Sequence, residues 1–94
     1  MRWMETIRVR LTETDRARII TDLSRQLFNL APRNGLEEAR LYSDAQIQTD
    51  LSINLCWNTP DVQVKGSPLG SQLATGLRGA GFINHTVWRE EECK

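Results

Sequence analysis

The run Leu51-Ser52-Ile53-Asn54-Leu55-Cys56-Trp57 alternates large apolar side chains with small or polar ones without a break. Successive residues of a strand point to opposite faces, so a period of two marks a strand with one buried face. Leu51, Ile53, Leu55 and Trp57 belong inside, and Ser52, Asn54 and Cys56 belong on the other side. Such a strand requires a sheet covered on one side only, and the rest of the chain must supply both the sheet and its cover.

It supplies three more strands and two helices. Thr6 to Leu11 alternates again, with Ile7, Val9 and Leu11 on one face and Thr6, Arg8 and Arg10 on the other. Thr12-Glu13-Thr14-Asp15 then offers a capping hydroxyl and early acidic charge to a helix start. Ala17, Ile20, Leu23, Leu27 and Leu30 follow at helical spacing, and Pro32 and Gly35 stop the helix. Glu38 to Ser43 reads as a second strand and Ser43-Asp44-Ala45-Gln46 as a turn. Ile47 and Thr49 offer an early start for the return strand. Asn58-Thr59-Pro60-Asp61 breaks that strand, and Val62-Gln63-Val64 is irregular or a minor edge strand. Ser67-Pro68 starts a second helix with Leu69, Leu73 and Leu77 as its stripe and Gly70, Ala74 and Gly76 beside it. Gly79-Ala80-Gly81 ends it, Phe82 to Arg89 is the last strand, and Glu90 to Lys94 is a solvated tail.

The order strand, helix, strand, strand, helix, strand predicts an α+β domain of the ferredoxin-like βαββαβ kind. It has a four-stranded antiparallel sheet with both helices on one face. At 94 residues the chain makes one domain, residues 1–94. Twelve basic residues balance twelve acidic ones, which speaks against a broad electrostatic grip on nucleic acid or an anionic membrane. No segment reaches the roughly 20 apolar residues of a membrane span, and no signal peptide is visible. Cys56 and Cys93 lack the spacing of a metal or redox pair, and both read as free thiols of a cytoplasmic protein. No metal or cofactor site is expected.

The uncovered sheet face receives Thr6, Arg8, Arg10, Arg40, Tyr42, Ser52, Asn54 and Cys56. The last strand places Ile83, His85 and Val87 under the helices and Phe82 and Trp88 on the open side. A face that mixes aromatics with Thr, Asn and Arg suits an interface or a lined cavity. The expected partner is a second copy of the chain, packed through that face.

Two stretches carry a family resemblance. One is Leu51 to Trp57, a third strand ending in Trp; the other is a small second helix followed by Gly81 and Phe82-Ile83-Asn84-His85-Thr86-Val87-Trp88. With the element order, they make the chain resemble the dimeric α–β barrel superfamily, in particular its antibiotic-biosynthesis-monooxygenase-like group. The resemblance implies two ferredoxin-like sheets packed face to face, and either cofactor-free oxygenase chemistry or haem degradation. It draws attention to Asn54, Trp57, Asn84, His85 and Trp88. The departures are Thr6 and Arg8 where the group's first strand tends to carry Asn, and a sole histidine on the last strand rather than the second helix. The latter removes haem ligation through His85 from the expectation.

The candidate catalytic residues are therefore His85, Trp57 and Asn54, and the candidate ligand contacts are Trp57, His85 and Arg8. Each has a plainer role. An imidazole between Ile83 and Val87 can be a satisfied core residue, with no carboxylate visibly paired to it. Trp57 can be core packing at a strand end. Arg8 can pair with an acid across a dimer interface. Two functions stay open. One is a small-molecule-binding or monooxygenase-like domain for an apolar or aromatic ligand. The other is a non-enzymatic homodimeric assembly or regulatory module.

Overall fold

A computed structural model describes residues 1–91 of the chain. Six elements follow in order: β1 (Arg2–Arg10), α1 (Glu13–Leu27), β2 (Leu36–Ser43), β3 (Asp50–Asn58), α2 (Pro68–Leu77) and β4 (Phe82–Arg89). The four strands form one antiparallel sheet in the order β2-β3-β1-β4. Both helices pack on one face of it, and their apolar residues join those of the strands in a single core. This is the expected βαββαβ arrangement, an α+β fold of the ferredoxin-like kind.

The core follows strand parity. Ile7, Val9, Leu51, Ile53 and Leu55 are almost wholly buried beneath Ile19, Leu23 and Leu27 of α1 and Leu73, Ala74 and Leu77 of α2. Burial of each large aliphatic side chain contributes roughly 1.5–3 kcal/mol, so this layer supplies most of the stabilisation. Thr12 caps α1 by accepting from the backbone N–H of Asp15, and Ser67 caps α2 by accepting from that of Gly70. Gly81 is required where α2 returns to the sheet, because a Cβ there would overlap the carbonyl of Arg10.

Several boundaries differ from the sequence reading. β1 begins at Arg2 rather than Thr6. It carries the inner face one pair further, through Trp3 and Glu5, because those residues pair with Trp57 and Leu55 of β3. α1 ends at Leu27, and Asn29 adopts a left-handed φ of 68° that closes the helix before Pro32 is reached. The buried side of α1 includes Ile19, whereas Ala17 is exposed. β2 begins at Leu36, a core residue. β3 does not start early. Asp44 accepts from the backbone N–H groups of Gln46 and Ile47 at 2.8 and 2.9 Å, which holds that stretch as a turn with Ile47 exposed. Val62 to Val64 is irregular. Cys93 lies outside the described residues. Cys56 is a free thiol. No helix among the described residues is long and apolar enough to cross a membrane.

Candidate functional site

The helix-covered core is apolar except at one end, where Glu5 stands between Trp3 and Ile7 with no solvent exposure. A buried carboxylate is costly unless hydrogen bonds replace its water. Glu5 has four. Oε1 accepts from Trp57 Nε1 at 2.9 Å and from the hydroxyl of Ser67. Oε2 accepts from the backbone N–H of Ser67 at 3.1 Å and lies 2.7 Å from His85 Nε2. Three elements thus converge on β1 through one side chain: the end of β3, the cap of α2 and the middle of β4.

Local sequence explains the convergence. Trp57 is the last inward residue of β3, and its indole stacks on Trp3 with centroids 5.5 Å apart and planes inclined by 13°. Trp3 Nε1 donates to Thr59 Oγ1 at 2.8 Å, which ties the pair to the loop after β3. Ser67 serves two partners at once, since its Oγ accepts from Gly70 N at 2.9 Å while donating to Glu5. Two glycines make the room. A Cβ at Gly70 would overlap the Glu5 carboxylate, and one at Gly66 would come within 2.6 Å of His85 Cε1. Gly66 also has a φ of +94°, which side-chain-bearing residues rarely adopt.

Among the described residues nothing covers the other face of the sheet. Its rows run Glu38–Cys56–Met4–Trp88, Arg40–Asn54–Thr6–Thr86 and Tyr42–Ser52–Arg8–Asn84, with Asp50, Arg10 and Phe82 below them. Phe82 is 89% exposed, Trp88 58% and Tyr42 49%. Around the first row lies an open groove of about 660 Å³, lined by Arg2, Met4, Glu38, Cys56, Trp57 and Trp88 among others. A smaller groove of about 300 Å³ lies at the opposite end, against Arg8, Arg10, Asp50, Phe82 and Asn84. Arg10 grips Asp50 through Nε and Nη2 at 2.8 and 3.0 Å. That fork holds the Asp50 carboxyl below the ordinary carboxylate range. Burial, then Glu38 and Glu37, push the Cys56 thiol up.

Of the candidate residues, Trp57 and His85 are brought together, both on Glu5. Asn54 and Arg8 are not; they lie on the open face, where Ser52 Oγ donates to Asn54 Oδ1 at 3.0 Å. Glu5 and Ser67 were missed as site residues. The signals for Glu5 were its parity with Ile7, Val9 and Leu11 and the otherwise unexplained Gly70 in a short helix. No group of three or more metal-ligating side chains occurs among the described residues.

Fold and site together define a ferredoxin-like α+β domain with an aromatic open sheet face and a buried carboxylate–imidazole pair. No family model matches the chain, and no curated protein or solved structure matches it.

Proposed function

We propose that the chain works as a homodimer in the manner of a dimeric α–β barrel, with two open sheet faces packed together around a small apolar or aromatic molecule. The observation that carries this reading is the face itself: Phe82, Trp88 and Tyr42 stand exposed while both helices lie on the opposite side. A second copy is the occupant that its chemistry favours. The face bears both signs of charge, with Arg8 and Arg40 against Glu38, and the whole chain has zero formal net charge. The larger groove has a volume within the roughly 300–1,000 Å³ range of ligand pockets, and Met4, Cys56 and Trp88 give it a soft, aromatic lining.

Sedimentation equilibrium at tens of micromolar tests the assembly. A dimer is expected, with Trp88→Glu shifting it to monomer; a wild-type monomer at that concentration would sink the reading. Quenching of tryptophan fluorescence by a neutral aromatic such as 1-naphthol tests the groove. It is expected to saturate for the dimer and to weaken in Trp88→Glu. Failure to quench, with the dimer intact, leaves the non-enzymatic assembly module as the function.

A cofactor-free monooxygenase-like activity, of the antibiotic-biosynthesis-monooxygenase-like group, is the second reading. Its support is that Asn54, Asn84 and Trp88 share the face a dimer encloses. Oxygen uptake with aromatic polyols tests it, and no uptake above the protein-free rate refutes it.

A further inference from the structure

Glu5 and His85 belong to neither groove described above, and structure alone does not require both. Trp57 and Ser67 satisfy three of the carboxylate's four lone-pair sites. Replacing a buried ion pair by well-packed apolar side chains is often neutral or stabilising, so an acid and an imidazole here need a further reason.

The hydrogen bonds assign the tautomer. Trp57 Nε1 and Ser67 N can only donate, and the Ser67 hydroxyl, which accepts from Gly70 N, has its own proton left to give to Glu5. As a carboxylate Glu5 accepts on both oxygens, and His85 Nε2 then carries the proton that points at Oε2. The lone pair of the neutral ring is left on Nδ1. Among the described residues that atom makes no hydrogen bond and every buried side-chain nitrogen and oxygen has a partner, and the His85 side chain is 19% exposed. Nδ1 therefore opens to solvent, at the edge of the sheet beside the start of α2.

We propose that His85, held by Glu5, is a nucleophilic imidazole that accepts the acyl group of small activated esters or thioesters. The Nδ1 lone pair adds to the carbonyl carbon, and the bond to the leaving oxygen or sulfur breaks with its electron pair. The ring becomes an N-acylimidazolium whose positive charge Glu5 stabilises through the Nε2 proton, as a carboxylate stabilises the imidazolium of a hydrolase triad. Water then adds to the acyl carbon and the C–N bond breaks. The imidazole returns, the carboxylate product leaves, and two protons in total pass to solvent. His85 is the catalytic residue, Glu5 the positioning residue. Ser67 is not a nucleophile, since its hydroxyl is spent between Glu5 and the helix cap.

The test uses p-nitrophenyl acetate with the full chain, following p-nitrophenolate release and locating the acetyl group by peptide mass spectrometry. The expected result is acetylation at His85 about tenfold or more faster than that of N-acetylhistidine at the same pH. His85→Gln abolishes it, and a Glu5→Gln variant that keeps its circular dichroism slows it about tenfold or more. Release of p-nitrophenolate that is unchanged in His85→Gln, or no faster than that caused by N-acetylhistidine, overturns the proposal. Glu5→Gln could fail to fold, so nitrogen-15 correlation spectra of the wild-type imidazole give a second reading. They are expected to show a proton on Nε2 and none on Nδ1; the reverse tautomer overturns the proposal. Neither measurement depends on the dimer.

Discussion

Two acid–base pairs sit on β1 and its neighbours, at opposite ends and on opposite faces of the sheet. At the covered end Glu5, itself without solvent, meets His85, whose ring keeps one edge in water, and every lone pair of the carboxylate is filled by a donor that the fold had to place. At the open end Asp50 meets Arg10, whose side chain is 66% exposed, in one two-pronged contact made by adjacent strands. The first pair dictates sequence around it: two tryptophans, a capping serine and two glycines. The second dictates little beyond itself. Glu5, cut off from water, recruits donors from three elements, whereas Asp50, also buried but at the sheet's open end, is held by one arginine that stays in water.

The largest expected effect comes from breaking the recruited environment. In Gly70→Ala the new methyl group overlaps a carboxylate that cannot swing away without losing its donors. The expected loss is about 2–4 kcal/mol, from overpacking and unmade buried hydrogen bonds together. Gly76→Ala is the control on the same helix. Nothing lies within 4 Å of its added Cβ, so helix propensity decides and the substitution stabilises by about 0.5–1 kcal/mol. Urea unfolding of the two variants measures both. Equal signs would show that Glu5 is not confined as described.

The same contrast explains what the sequence made legible. Alternation exposes β3 and β4, and Ser67-Pro68 exposes the start of α2, because each is a local preference that the packed structure keeps. Even the face of β4 could be read, since Ile83 and Val87 flank His85 with the right parity. The end of β1 could not. A charged residue at position 5 reads as the edge of a strand, and only its partners at positions 57, 67 and 85 reveal it as an inner residue. Those contacts are remote in sequence, so no local pattern carries them. The start of β2 failed for a related reason, since Leu36 is buried by its pairing with Trp57 and not by a run of its own.

A smaller effect, visible only in acid, belongs to the open-face pair. Arg10 holds the Asp50 carboxyl below its ordinary range through the hydrogen bond, and the backbone N–H groups of Ile47 and Gln46 do the same for Asp44. A depressed acid contributes stability that is present above its unfolded pKa of about 3.9 and is lost as pH falls through the lower folded value. Stability of the wild type should therefore decline below about pH 4. Asp50→Asn should be less stable at neutral pH, and its deficit should shrink as the acid limb is descended. Denaturant midpoints at a series of pH values give the difference. A deficit that stays constant down to the acid end would mean that the Arg10 fork does not hold Asp50 in solution.

The smallest effect concerns Cys56, in the first row of the open face, where partial burial meets two carboxylates that each lie beside an arginine. Burial pushes its thiol up first, and Glu38 and Glu37 add to that, so little thiolate forms at neutral pH. Peptide-resolved alkylation by iodoacetamide should be slower at Cys56 than in a free cysteine peptide. Glu38→Gln removes the larger of the two carboxylate contributions and leaves the burial. An exposed charge interaction is worth a few tenths to about 1 kcal/mol, which predicts acceleration of about 1.5- to fivefold. Because Cys56 lies on the face assigned to the dimer, both proteins should also react more slowly as concentration rises. An alkylation rate unchanged by Glu38→Gln would assign the slow thiol to burial alone. It would then resemble Glu5, governed by what covers it, more than Asp50, governed by its charged neighbour.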